Sequence, residues 1–171
     1  TPPPPPPTPP RLNCRRQRQM CIRDRYDAIA LTMGAGQPRD LPVDGRDLNG
    51  IHYAMEFLTQ QNKLIAGEDI LDPMINANGK HVIVIGGGDT GSDCVGTSRR
   101  QKAASVHQLE ILPQPPESRP DDTPWPMWPR TMRTSSSHEE GCERMWNVMT
   151  KKFVGDETGI KELVACKVEW T

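Results

Sequence analysis

Apolar positions in this chain of 171 residues fall into short blocks separated by turn-forming residues. Residues 26–33 (YDAIALTM) read as a short buried strand that stops at Gly34-Ala35-Gly36. Pro38 and Pro42 then forbid regular structure in the loop up to Gly45. Between Gly50 and Ile65, the residues Ile51, Ala54, Met55 and Leu58 recur at helical spacing, and Gly67 supplies a stop. A turn over residues 76–79 (NANG) feeds a β-branched run at 81–85 (HVIVI). A glycine-rich turn, a helix-like segment and a second strand-like run at 105–112 (SVHQLEIL) follow. Ser137, with Glu140 three residues on, spells a capping box and predicts a helix over residues 139–149. Residues 151–154 and 163–170 pair as a hairpin around the turn from Gly155 to Gly159. In its second strand Val164, Cys166, Val168 and Trp170 share one face, with Lys167 and Glu169 on the other.

This succession predicts an α/β sheet that takes a nucleotide at its carboxyl edge. The glycine turn supplies the chemistry. Gly86, Gly88 and Gly91 are spaced G-x-G-x-x-G, directly after a strand and before a helix. Gly86 permits the tight turn. Gly88 has no Cβ, so the backbone can approach a pyrophosphate, and Gly91 lets the helix pack closely on the sheet. The pyrophosphate then meets the free N–H groups and positive dipole end of the helix. Asp89 and Thr90 can cap those N–H groups from the side. Glu110, 24 residues beyond Gly86 and near the end of the second strand, stands where a carboxylate meets a ribose hydroxyl. An ordinary solvated charge is the competing reading of that residue.

Charge is unevenly distributed. The formal net charge is −1, yet residues 1–25 alone carry six Arg and one Asp, leaving −6 for the remainder. Those first residues also hold eight of the eighteen prolines, and they cannot bury enough apolar surface to fold. Residues 19–25 (QMCIRDR) resemble translated sequencing-adapter DNA, so residues 1–25 are taken as a disordered, non-native leader. No apolar stretch approaches the roughly 20 residues that span a bilayer. The five cysteines (Cys14, Cys21, Cys94, Cys142 and Cys166) are scattered, without C-x-x-C spacing. Neither a membrane nor a nucleic-acid partner is expected, no metal ligands are assigned, and the expected compartment is the cytoplasm. Residues 113–129 hold seven prolines with Trp125 and Trp128 among them. They read either as an excursion pinned to its own domain by the tryptophans or as a polyproline recognition ligand.

Three segments resemble a known family: residues 26–58, residues 81–101, and residues 109–116 with 124–130 (PWPMWPR). The family is that of the glutamate synthase small (beta) subunit and the matching C-terminal part of single-chain glutamate synthases. The resemblance implies a Rossmann-like NAD(P)-binding domain in a flavoprotein with two dinucleotide-binding domains, of the pyridine nucleotide-disulfide oxidoreductase type. Residues 26–43 would end the first FAD-domain segment and cross over, with Gly34, Ala35 and Gly36 near the flavin. Residues 44–171 would form the NAD(P)H domain, with Gly86, Gly87, Gly88, Asp89, Thr90 and Gly91 in the pyridine-nucleotide turn. NADH or NADPH would pass a hydride to FAD. Electrons would then cross iron–sulfur clusters to the large (alpha) subunit, or its fused equivalent, where glutamine and 2-oxoglutarate yield glutamate.

The chain departs from that pattern. The family's FAD-binding glycine turn, its cluster cysteines and its closing flavin segment are absent, so the chain is expected to be a fragment, inactive alone. NADPH-using relatives often carry paired arginines after the second strand, where this chain has Glu110-Ile111-Leu112-Pro113. A carboxylate there favours NADH, unless Arg99 and Arg100 fold back to meet a 2′-phosphate. No acid or base is assigned, because hydride transfer mainly requires alignment of two rings. Two alternatives stand beside this reading. One is a related flavin and iron–sulfur electron-transfer subunit, of ferredoxin reductase or dihydropyrimidine dehydrogenase type. The other is an interaction module working through residues 113–129.

Overall fold

A computed structural model describes Asp27, residues 36–70 and residues 73–170. The leader and the strand expected over residues 26–33 lie outside the described residues, apart from Asp27. The chain divides into two units, residues 1–37 and 38–171, and the elements below all belong to the second. As expected, residues 38–43 run without regular structure.

Helix α1 (Ala54–Ile65) begins four residues later than Gly50, because Glu56 reaches back to accept the Tyr53 N–H at 3.3 Å and fixes the start there. Ala54, Phe57 and Leu58 face the core, whereas Met55 is half exposed. Phe57, absent from the periodic set, is the residue this helix buries. On its flank the Gln60 amide oxygen accepts the Ile75 N–H at 2.9 Å, and Gln61 accepts from Gln101 at 2.6 Å. Those bonds hold the approach to the first strand.

Strands β1 (His81–Ile85), β2 (Ser105–Leu109) and β3 (Glu143–Met145) form a parallel sheet in that order, with His81 opposite Ser105 and Ile85 opposite Leu109. Helix α2 (Asp89–Arg100) connects β1 to β2. Val84 and Val106, from alternate positions of β1 and β2, meet Val95 and Cys94 of α2 together with Phe57. Val95 is fully enclosed, and burial of such a side chain stabilises by roughly 1.5–3 kcal/mol. The arrangement is a βαβαβ unit whose strand ends converge on one edge.

The helix expected over residues 139–149 is not formed. Helix α3 (Ser136–Glu139) is a single turn starting one residue after Ser135, and Ser137 is buried. Gly141 (φ 111°) and Asn147 (φ 59°) turn the chain, and residues 143–145 pair with β2 instead. Backbone pairing along a buried strand outweighs the local capping signal.

The hairpin is present and longer than expected, with β4 (Val148–Asp156) antiparallel to β5 (Gly159–Lys167). Asp156 accepts the Thr158 N–H at 2.8 Å to close its turn. Register shifts at Thr150/Lys152 and Val154/Gly155 break the simple alternation. From Cys166 on, the alternation read from the sequence is kept, with Cys166 and Val168 half-buried and Lys167 and Glu169 exposed, whereas Val164 and Trp170 at the two ends of that face are exposed.

Candidate functional site

The three glycines do three separable things. Gly86 donates its N–H to Leu109 O at 2.8 Å, extending the β1–β2 ladder by one rung, and then turns with φ 120°, where a side chain is strongly disfavoured. Gly88 stands in extended conformation at the N-cap of α2, and a Cβ there would project into open space. At Gly91 a Cβ would lie 2.4 Å from Gly86 O and 2.9 Å from the Gln108 amide nitrogen. That third glycine is required by packing and the second is not, since Gly88 lies exposed with open space where its side chain would be.

Asp89 and Thr90 are exposed, and among the described residues no side chain caps the start of α2. The expected side-chain capping is thus not made. The first N–H groups of the helix stay available to an anion, reinforced by the positive end of the helix dipole.

Glu110 follows β2 directly. Its Oε2 accepts the Gly87 N–H at 2.6 Å and its Oε1 accepts the Leu112 N–H at 3.1 Å. The carboxylate therefore clamps the middle of the glycine turn to the strand end, a role that the spacing argument missed. Its backbone is held as well: the Glu110 N–H donates to Met145 O at 2.8 Å, and its carbonyl accepts from Val148 at 3.0 Å.

Beneath the turn lies a polar chain that sequence reasoning also missed. Gln108 is 2% exposed, the largest fully buried side chain described. Its Nε2 donates to Gly86 O at 2.9 Å, and its Oε1 lies 2.9 Å from His138 Nε2. His138 Nδ1 is 3.1 Å from the Ser135 N–H and 3.0 Å from Ser135 Oγ, which meets Ser92 Oγ on α2. A signal was present: Gln108 shares the inward face with Val106, an unusual place for an amide.

Arg99 and Arg100 do not fold back. Arg100 pairs with the Glu140 carboxylate and Arg99 donates to Glu140 O at 3.2 Å, both at the far end of α2 from the glycines. Cys94 is a core thiol, and burial pushes it up to about 11. Among the described residues no cluster of metal-ligating side chains occurs. No helix among them is long and apolar enough to cross a membrane.

Of the glycine run near residue 34, Gly34 and Ala35 lie outside the described residues, while Gly36 forms an exposed bend. A shallow open cleft of about 420 Å³, lined by Pro113, Asn147, Val168, Glu169 and Trp170, sits past Leu112 and shares no residue with the glycine turn. The tryptophans of residues 113–129 do not bury themselves in the domain, since Trp125 and Trp128 are 82% and 77% exposed and Trp128 is met by the Arg133 guanidinium, 4.3 Å from its ring centre. Polar contacts also close the loop, with Arg130 on Asp122 at 2.6 Å and the Met132 N–H on Pro116 O at 2.7 Å.

The family described as pyridine nucleotide-disulphide oxidoreductase matches residues 15–169. The glutamate synthase [NADPH] small chain of Mycobacterium tuberculosis is 49% identical over 151 residues, covering 86% of this chain and 31% of the relative. Glutamate synthase [NADH] of Schizosaccharomyces pombe is 47% identical over 154 residues, covering 85% of this chain and 7% of the relative. The Bacillus subtilis glutamate synthase [NADPH] small chain is 42% identical over 156 residues, covering 86% of this chain and 32% of the relative. The chain thus spans about a third of the bacterial small chains it matches, and their names meet the resemblance read from its segments. Among solved structures, a thioredoxin reductase from T. acidophilum shows 14% identity and a TM-score of 0.43 over 75% of this chain and 34% of that one. A ferredoxin reductase from Rhodopseudomonas palustris shows 16% identity and a TM-score of 0.45 over 74% of this chain and 28% of that one. By the match over residues 15–169, this chain belongs to the pyridine nucleotide-disulphide oxidoreductase family.

Proposed function

We propose that residues 81–110 bind the pyrophosphate and adenosine ribose of NADH or NADPH, within a protein that acts as the electron-input small chain of a glutamate synthase. The exposed, side-chain-free backbone at Gly88, beside uncapped N–H groups at the start of α2, carries this reading. When bound, the coenzyme supplies a hydride, which in a flavoprotein of this family would be accepted by FAD. This chain's residues contribute position. Gly86 and Gly91 set the turn against the sheet, and Gly88 admits the pyrophosphate to the backbone. Glu110 keeps the turn closed and has lone pairs left for a ribose hydroxyl.

The carboxylate at the strand end favours NADH, because a 2′-phosphate would meet like charge there. Relatives named for each coenzyme lie at similar identity. The partner under this reading is the large subunit, and the exposed Trp125 and Trp128 suggest residues 113–129 as part of that contact. Capture of the large subunit by a protein lacking residues 113–129 would count against the loop. The nucleotide reading is tested by titrating the full chain, shown to be folded by circular dichroism, with NADH and NADPH in parallel. Loss of binding in Gly88→Val supports it, and wild-type affinity in a folded Gly88→Val protein overturns it.

A further inference from the structure

The hydrogen bonds beneath the glycine turn run in one direction. The Ser135 backbone N–H can only donate, so His138 Nδ1 is its acceptor and the ring proton sits on Nε2. Nε2–H then donates to Gln108 Oε1, which orients the amide so that its Nε2 donates to Gly86 O. Ser135 Oγ, 3.0 Å from Nδ1, is joined to Ser92 Oγ in the first turn of α2. One chain of bonds thus links α3, β2, the first glycine and the helix the turn feeds. Gln108 is enclosed at 2% exposure, and both polar atoms of its amide are used.

From this geometry we infer that Gln108 and His138 are positioning residues for coenzyme binding. They act through Gly86 to hold the glycine turn open to the pyrophosphate. The reason lies in where the amide sits. The Gln108 nitrogen bonds the Gly86 carbonyl and would also lie 2.9 Å from a Cβ at Gly91, so it fills the junction where the first and third glycines nearly touch. Without it, Gly86 O loses the side-chain donor that holds it, and the peptide after Gly86 is free to rotate. That rotation would turn the Gly87 N–H away from Glu110 and move Gly88, the residue left open for the ligand. His138 fixes which way the amide points, since a flipped amide would set its NH₂ against Nε2–H and its oxygen against Gly86 O.

This inference rests on the proposed nucleotide site, and one experiment separates the two. The full chain and its variants Gly88→Val, Gln108→Leu, His138→Leu and His138→Gln are titrated with NADH and NADPH by coenzyme fluorescence, alongside circular dichroism melts. Gln at position 138 places an N–H donor where Nε2–H was, while Leu cannot donate. Gln108→Leu and His138→Leu are expected to weaken binding about tenfold, the scale of one buried hydrogen bond. His138→Gln is expected to restore it, and Gly88→Val to abolish it. Wild-type affinity in both leucine variants, with binding lost in Gly88→Val, would overturn the inference and leave the nucleotide site standing. Equal weakness in His138→Gln and His138→Leu would overturn the donor role of the histidine. Unaltered binding in Gly88→Val would remove the nucleotide site and the inference together. If Gln108→Leu does not fold, the comparison of the two His138 variants decides.

Discussion

Glu110 and Gly87 are joined at 2.6 Å, so the residue at the end of the second strand closes the turn that leaves the first. The same carboxylate therefore serves the fold and, under the proposed function, the ribose. Glu110→Ala is expected to cost about 1.5–3 kcal/mol of NADH affinity, the scale of one hydrogen bond to a charged group. Parallel NADH and NADPH titrations check this. NADPH is expected to lose less, because removal of the carboxylate also removes repulsion of a 2′-phosphate.

Gly88 and Gly91 are expected to fail in different ways. A Cβ at Gly91 meets backbone at 2.4 Å, so Gly91→Ala should lower stability by about 1–3 kcal/mol, read as a fall in Tm. A Cβ at Gly88 meets nothing, so Gly88→Val should leave Tm nearly unchanged while coenzyme binding is lost. Equal losses of Tm in the two variants would contradict the division of roles described above.

Arg100→Ala is expected to leave NADPH affinity unchanged. The guanidinium pairs with Glu140 beyond the last turn of a helix about 18 Å long, and the glycines lie at its other end. Both groups are substantially exposed, so stability should fall by less than about 1 kcal/mol. A selective loss of NADPH binding in this variant would place the 2′-phosphate at the arginines after all.

Stability is expected to decline as the solution becomes acidic, starting near the ordinary titration range of histidine. Burial, reinforced by Arg144, holds His138 below its usual value, and burial does the same to His52. A group whose folded value is depressed in this way binds its proton more readily in the unfolded chain. Its contribution is complete above the unfolded value and is lost as pH falls through the folded one. The other close neighbours of His138, Gln108 and Ser135, carry no charge. Asp40, held low by Arg46, and Asp156, held low by Thr158, add a second loss in the carboxylate range. Tm measured from pH 8 to pH 3 should show both steps, and His138→Gln should reduce the first.

The parts of the site that depend on chain-local chemistry were legible in the sequence. The run of alternating β-branched residues announced β1, and the glycine spacing announced the turn. The parts that depend on pairing between distant segments were not. Ser137 and Glu140 carried a capping pattern, yet the partner strand β2 drew residues 143–145 into the sheet, and Ser135 became the residue before the helix. The Gln108–His138 bond joins residues 30 positions apart, so no local pattern encodes it. The amide was visible only as a polar residue on an otherwise apolar strand face. Glu110 was found by its distance from Gly86, but that spacing could not show that its oxygens would turn inward to the Gly87 and Leu112 N–H groups.

Both main-chain polar groups of Glu110 are committed, the N–H to Met145 at the end of β3 and the carbonyl to Val148 at the start of β4. Position 110 is in this respect a fixed socket, with the direction of its Cα–Cβ bond set by bonds that no exchange of side chain at that position removes. An exchange at this position would thus keep the direction of the side chain but release the Gly87 and Leu112 N–H groups, so under the proposed function coenzyme preference and closure of the turn are tied to one residue and change together.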